Sequence, residues 1–123
     1  MTLSGHTADA QKLKSAMEAI QLVPSSLTDF ALKYDEDDMS PAQAIQYMNE
    51  LSVSMEAARQ CFEGLKDTVP MARMDEYAAW IMDSISTFLA KSDTMNKIEC
   101  GASLKHLQID AILKYNILIK DIE

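Results

Sequence analysis

Cysteine and histidine supply many of the nucleophiles and zinc ligands in proteins, and this chain has two of each: Cys61, Cys100, His6 and His106. Cys100 and His106 could approach each other across Gly101, which would place a thiol beside an imidazole. Neither histidine has zinc-like ligand spacing, and no orienting carboxamide or obvious oxyanion hole accompanies the pair. We therefore predict no catalytic residue, no metal site and no bound cofactor.

Carboxylates perform general acid–base chemistry or bind calcium only where several of them converge. The acidic run Asp35–Asp38 resembles a calcium-binding loop in composition, but the required glycine and closing glutamate are not at the right offsets. A solvated connection between helices is the favoured interpretation, and an acidic patch facing a partner is the alternative. Other acids, among them Asp75 and Glu76, are expected on solvated helix faces.

Charge and hydropathy restrict the class of partner. The 123-residue chain has a formal net charge of −8 and scattered basic residues, so we predict no nucleic-acid partner. No apolar run is long and uncharged enough to span a bilayer, and the first residues lack the apolar core of a signal peptide. With two thiols expected to stay free, we predict a cytoplasmic protein without a membrane partner. A single disulfide is the alternative for an exported chain.

Apolar residues recur every three or four positions along most of the chain, which predicts helices. Only three glycines and three prolines are present, too few for a turn-rich β fold. Residues 1–6 are expected to be frayed, Thr7 to cap a first helix ending near Leu22, and Pro24 to stop it. A short helix over Leu27–Tyr34 follows.

Two long helices and a C-terminal helix complete the expected elements. Ser40, Pro41 and Gln43 predict a capping box on a proline-started helix whose apolar stripe reaches Leu65. The remaining expected boundaries are a break at Asp67–Pro70, a helix from between Met71 and Asp75 to about Lys91, a loop over 92–102, and a last helix capped by Ser103.

These elements predict an all-α, single-domain bundle of four to five mostly antiparallel helices over residues 1–123. The segment 111–122 is rich in isoleucine, leucine and tyrosine, which would also suit a strand. A lone strand would have nothing to pair with in this chain, so a helix is the favoured interpretation.

The C-terminal helix carries two apolar stripes, whereas a surface helix normally has one. Ile109, Leu113 and Ile117, spaced four residues apart, form a stripe roughly opposite the first. We expect this second stripe to be buried in a central helix, to pair with a second copy of the chain, or to bind another protein. The first stripe comprises Leu104, Leu107, Ala111, Ile112, Tyr115, Leu118, Ile119 and Ile122.

Trp80 lies outside the main apolar arc of its helix, beside Ser84 and Thr87. One interpretation places it at the edge of the core, covered by the first or second predicted helix. The other makes it an interface anchor, because tryptophan is enriched among residues that dominate binding energy. We therefore include Trp80 with Ile109, Leu113 and Ile117 as predicted partner-binding residues.

The functional prediction is a non-enzymatic protein that binds a larger protein and inhibits, sequesters or chaperones it. An antiactivator, a secretion chaperone or adaptor, and an immunity protein are examples of this class. The alternative is an enzyme or small-molecule-binding bundle with a pocket between the long helices, lined by Tyr47, Met55, Tyr77 and Tyr115. A second alternative, a nucleic-acid regulator, is disfavoured by the charge.

Overall fold

The computed structural model describes residues 3–65 and 68–122, with the side chains of 10–65 and 68–122. Over these residues the chain forms four α-helices and a short 3-10 helix, and no strand, so the all-α prediction is confirmed. Residues 111–122 are helical. The elements are α1 (Leu3–Glu36), α2 (Pro41–Phe62), α3 (Val69–Lys91), a 3-10 helix (Ser92–Thr94) and α4 (Lys97–Ile122).

All four α-helices contribute to a common hydrophobic core. The apolar positions that recur every three or four residues point inward on each helix, as amphipathic packing requires. Burial of these side chains is the main force that holds the helices together. The largest fully buried side chains include Tyr34, Phe62, Ile20, Leu27, Met48, Met55, Ile81, Ile85 and Leu104.

α1 runs through Pro24, so the prediction of two helices separated at this proline is wrong. Pro24 lacks the N–H that would bond the carbonyl of Ile20, which normally weakens a helix. The buried face nevertheless continues across it, because Ile20, Val23 and Leu27 are all almost fully buried. The Thr28 hydroxyl also donates to the Pro24 carbonyl at 2.8 Å. Packing of one continuous apolar face therefore outweighs the missing hydrogen bond.

The start of α1 also differs from the expected position. The helix begins at Leu3, within the segment expected to be frayed and before the expected cap, Thr7. Adding residues to the end of an existing helix costs far less than nucleating a new one. A cap-like residue such as Thr7 therefore does not by itself stop the helix from extending upstream.

α2 begins with the predicted capping arrangement and ends slightly early. The Ser40 N–H donates to the side-chain oxygen of Gln43 at 2.8 Å. At the other end, Gly64 adopts a φ of +83°, a left-handed conformation that glycine takes without strain. The helix therefore stops at Phe62 rather than reaching Leu65, whose N–H bonds the Phe62 carbonyl at 2.9 Å.

α3 begins at Val69, before the predicted start between Met71 and Asp75. Pro70 lies in the first turn, where its missing N–H leaves no helical bond unmade. This proline therefore starts the helix instead of breaking the chain. Asp67, part of the predicted break, lies outside the described residues.

α4 also begins earlier than predicted, at Lys97, so Ser103 is inside the helix and not its cap. Asn96 caps it: its side-chain oxygen accepts the Glu99 N–H at 2.8 Å. The Asn96 amide in turn donates to the Glu99 carboxylate at 2.8 Å. This is an asparagine N-cap with an additional bond between the two side chains, and it converts most of the expected loop into helix.

α1 and α4 meet closely at Gly101. A Cβ atom added there would lie 3.3 Å from Cε1 of Tyr34, so the aromatic ring packs directly on the glycine backbone. The Tyr34 hydroxyl donates to the Lys97 carbonyl at 3.1 Å. Two ion pairs reinforce this end of the bundle: Lys105 Nζ lies 2.7 Å from Asp35 Oδ2, and Lys97 pairs with Asp38. The acidic connection thus holds α4 as well as joining α1 to α2.

α2 and α3 are joined by a partly buried ion pair. Arg59 Nε lies 3.0 Å from Asp75 Oδ1, and the guanidinium also donates to the second carboxylate oxygen at 3.5 Å. Asp75 is buried, so the expectation that it lies on a solvated face is wrong. A carboxylate placed inside a protein requires such charged hydrogen-bond donors, because desolvation penalises the charge.

Replacing Gly101 by valine should destabilise the bundle by about 1–3 kcal/mol, because the new methyl groups would overlap the Tyr34 ring. Urea unfolding followed by circular dichroism measures this change. Ala102→Val is the matched control, since Ala102 is the next residue of the same helix and is exposed. Equal stability of the two variants would contradict close packing at Gly101.

Candidate functional site

The two apolar stripes of α4 lie on opposite sides of the helix. Residues of the first stripe are buried or half-buried against α1 and α3, and its centre is Ala111. Ile109, Leu113 and Ile117 are 55%, 57% and 56% exposed. The chain therefore does not bury the second stripe as a central helix would, and three branched apolar side chains line the outer face of α4.

The exposed stripe is longer than the sequence indicated. Ile98, 83% exposed, lies three helical turns before Ile109 on the same side of α4, and Ala102 between them is also exposed. Sequence reasoning missed these two because the segment 92–102 was expected to be a loop. Asn96 followed three residues later by Glu99 was the N-cap signal that would have found them. We call the line of Ile98, Ala102, Ile109, Leu113 and Ile117 the α4 ridge.

Among the residues that the structure describes, the other exposed large apolar side chains do not form such a line on one helix. Leu22 and Leu32 of α1 are ten residues apart, Val53 is a single exposed residue on α2, and Leu65 and Val69 lie on either side of the connection between α2 and α3. Scattered apolar residues of this kind are ordinary on protein surfaces. A continuous apolar line on one helix is the type of feature that marks an interaction site.

Trp80 lies in a groove between α3 and α4, next to the α4 ridge. The groove has a volume of about 580 Å³, and its wall on α3 includes Trp80, Ser84 and Thr87. The Lys114 ammonium lies 5.6 Å from the centre of the Trp80 ring. The indole is half-buried and packs against the core, as the core-edge interpretation expects, and the element beside it is α4 rather than the first or second predicted helix. The α3 flank that carries Trp80 faces α4.

The groove and the ridge share a border on α4. Ala102 belongs to both, and the neighbouring His106 and Asp110 line the groove. His106 Nε2 lies 3.2 Å from Asp110 Oδ2. The four predicted partner-binding residues thus lie around one side of the α3–α4 pair, with Trp80 in the groove and Ile109, Leu113 and Ile117 on the ridge.

The cysteine–histidine pair that the spacing would allow does not form. Cys100 is buried against Tyr34, and burial raises the pKa of its thiol, with the Tyr34 hydroxyl opposing part of that shift. His106 is on the exposed surface, paired with Asp110. Cys61 is a half-buried free thiol on α2. His6 is within the part of α1 whose side chains are not described.

The four residues of the alternative pocket pack into the bundle. Tyr47 stacks on Phe30 of α1 with ring centres 4.0 Å apart, and Met55 is fully buried. Tyr77 donates to the Ala111 carbonyl at 3.2 Å and meets Tyr115 edge to face, 5.9 Å between centres. These side chains therefore fill space between helices, and none of them lines the α3–α4 groove.

Among the described residues, no group of three or more histidine, cysteine or acidic side chains is placed to hold a metal ion. None of the described helices is both long and apolar enough to cross a membrane. No protein-family profile matches the chain, and neither a curated protein nor a solved structure is significantly similar to it.

The hydroxyl of Tyr47 is buried and has no hydrogen-bond partner among the described residues. Burial, with a smaller effect of Asp29, raises the pKa of Tyr47 to about 12. Tyr47→Phe should therefore stabilise the protein, by about 1 kcal/mol, because it removes an unsatisfied buried group. Tyr77→Phe is the control and should destabilise by about 1 kcal/mol, since it loses the bond to Ala111. Urea unfolding distinguishes these signs, and a less stable Tyr47→Phe variant would contradict the burial.

Thiol reactivity should separate the two cysteines. The thiolate is the reactive form, and burial disfavours it at Cys100. In native buffer near neutral pH, iodoacetamide should modify Cys61 much faster than Cys100, as read by peptide mass spectrometry. In denaturant both should react. Equal native rates would contradict the packing of Cys100 beneath Tyr34.

Proposed function

We propose that this chain is a non-enzymatic protein that binds a larger protein through the α4 ridge and inhibits, sequesters or chaperones it. The single observation that carries the proposal is the exposure of Ile109, Leu113 and Ile117 on one line of a helix whose opposite face is already packed in the core. A helix with a second apolar face is suited to dock against another protein.

The energetic gain from covering the ridge supports this proposal. Full burial of one such side chain is worth about 1.5–3 kcal/mol. The three central residues are already partly covered, so a partner would gain about 1 kcal/mol from each. Ile98 and the half-buried Trp80 add further apolar area at the ends of the same surface. This area can anchor such a contact, and further contacts at its rim must supply the rest of the affinity and the orientation.

The alternatives have less support. A small-molecule pocket at Tyr47, Met55, Tyr77 and Tyr115 is disfavoured because these side chains pack against neighbouring helices. A second copy of the chain on the ridge remains the nearest competitor within protein binding. A nucleic-acid role would require a concentration of cations that the chain, at net charge −8, does not supply overall.

We infer a cytoplasmic location, supported by the two free cysteines, which reducing compartments preserve. We also infer the mostly antiparallel arrangement of the helices. Its support is that Tyr34, near the end of α1, contacts the start of α4, while Arg73, near the start of α3, lies 3.7 Å from Asp121 at the end of α4.

Leu113→Asp should leave the fold intact and weaken partner binding at least about tenfold, since it places a charge in the centre of the docked surface. Leu113 is more than half exposed, so the variant should lose less than about 1 kcal/mol of stability. The measurement is quantitative mass spectrometry of proteins captured from the native host by wild type and variant, with circular dichroism as the folding check.

Val53→Asp is the matched control, because it makes the same kind of change at an exposed apolar residue on α2. It should capture the same proteins as wild type. A Leu113→Asp variant that is folded and retains every partner would exclude the α4 ridge as the docking surface.

A further inference from the structure

We propose that the occupant of the α4 ridge is an amphipathic helix of another protein that has acidic residues beside its apolar face. This helix would lie along α4 with its apolar side chains on the ridge and in the α3–α4 groove. The inference rests on the proposed function and specifies the chemistry of the partner. It comes from the charges around the ridge and from the shape of the groove.

α4 differs in charge from the rest of the molecule. It contains four lysines and three acids, a net charge of +1, in a chain whose net charge is −8. The remainder therefore carries −9. Two of these lysines, Lys97 and Lys105, already pair with Asp38 and Asp35. Of the three α4 acids, Asp121 lies 3.7 Å from Arg73, which also pairs with Glu76, while Asp110 lies beside His106 and Glu99 bonds the capping Asn96. Each acid of this helix thus has a polar partner within the protein.

Several lysines near the ridge have no such engagement. Lys120 is exposed and forms no ion pair within the described part of the chain. Lys91, on the α3 wall of the groove, is also exposed and also forms no ion pair there. Within the described residues, Lys114 contacts the face of Trp80 and pairs with no acidic side chain. Two of these three lysines lie next to exposed ridge residues. Lys114 directly follows Leu113, and Lys120 lies about one helical turn after Ile117. Acidic side chains on a partner would complement them, and such complementarity sets partner choice and orientation.

The groove supplies the shape for a helix. Its wall on α3 is formed by Trp80, Ser84, Thr87 and Lys91, spaced four, three and four residues apart, so it runs along the helix axis. Its volume of about 580 Å³ can admit several side chains of a helix lying beside α4. A partner helix could therefore place one row of apolar residues against the ridge and another toward Trp80.

A second copy of this chain fits the same surface less well. Ridge-to-ridge pairing would bring the uncompensated Lys114 and Lys120 of both copies to one interface, where like charges oppose association. An acidic amphipathic helix does not meet this difficulty at the local surface, because the cations beside the ridge attract it.

The test uses the full chain and two synthetic helical peptides that lack tryptophan. Both carry leucine at helix-face spacing, and their flanking positions are glutamate in one and lysine in the other. Trp80 is the only tryptophan, so its fluorescence reports directly on the groove. The glutamate peptide should shift the Trp80 emission to shorter wavelength and bind at least about tenfold tighter than the lysine peptide. Added salt should reduce this difference.

Reversing the charge of the two lysines beside the ridge is the most direct test of the inference. Lys114→Glu combined with Lys120→Glu should reverse the preference, so that the lysine peptide binds more tightly, as measured by anisotropy of labelled peptides. Lys14→Glu with Lys33→Glu changes the net charge equally on exposed positions of α1 and should leave the preference unchanged. Reversal by the α1 control as well would indicate an effect of net charge alone and overturn the inference.

The outcomes separate this inference from the proposed function. If both peptides bind equally and Leu113→Asp abolishes both, the ridge is a docking surface but acidic flanks are not selected. If neither peptide binds while Leu113→Asp loses the host partner, the helical partner is wrong and the proposed function stands. If light scattering finds a dimer that Leu113→Asp dissociates, a second copy occupies the ridge and the inference is overturned. If the glutamate peptide binds but Leu113→Asp retains every host partner, the proposed function fails instead.

Discussion

Two tyrosines hold α4 by its main chain, and the position of every surface feature depends on them. Tyr34 of α1 donates to the Lys97 carbonyl, and Tyr77 of α3 donates to the Ala111 carbonyl. Burial raises the pKa of both phenols, so both remain neutral donors. Contacts from two different helices, separated by several turns along α4, fix its rotation about its own axis. The face that they turn away from the core is the α4 ridge.

This constraint explains how an amphipathic bundle can leave one apolar line uncovered. The core is filled from all four helices, and Gly101 allows α1 to approach α4 closely beside the first stripe. Rotating α4 to bury Leu113 would remove Leu104 and Ala111 from the core and break both tyrosine contacts. The exposed ridge is therefore the lower-energy arrangement of an isolated chain, and a bound protein can add burial without disturbing the core.

The charged residues also fall into two groups, those paired within the molecule and those beside the α4 ridge. The acidic connection after α1 is drawn to the start of α4 by Lys97 and Lys105, and Arg59 compensates Asp75 between α2 and α3. These cations are used inside the molecule. Lys120 has no ion pair within the described residues and Lys114 contacts the Trp80 ring rather than an acid, and both lie beside the ridge toward the far end of α4. Although the chain as a whole is acidic, the surface beside the α4 ridge therefore tends to be basic.

The sequence predicted much of the fold because helical periodicity is local information. The capping box at Ser40 and the two opposed stripes of α4 could both be identified from the sequence. The errors arose where a local stop signal competed with packing. Pro24 would end an isolated helix, but the spacing of Ile20, Val23 and Leu27 continues across it. Burying this continuous apolar face in the core stabilises the unbroken helix. Asn96 was overlooked as a cap, which hid Ile98 and Ala102.

Residue types and their spacing are sufficient to show that the chain is helical and that its last helix carries more apolar surface than one face can bury, because both properties are local to one segment. The packing of the helices was needed to show which stripe faces water, that Trp80 lies beside Lys114 across the α3–α4 groove, and that Asp75 is buried against Arg59. Each of these depends on the rotation and approach of helices distant in sequence, and side-chain packing sets that geometry.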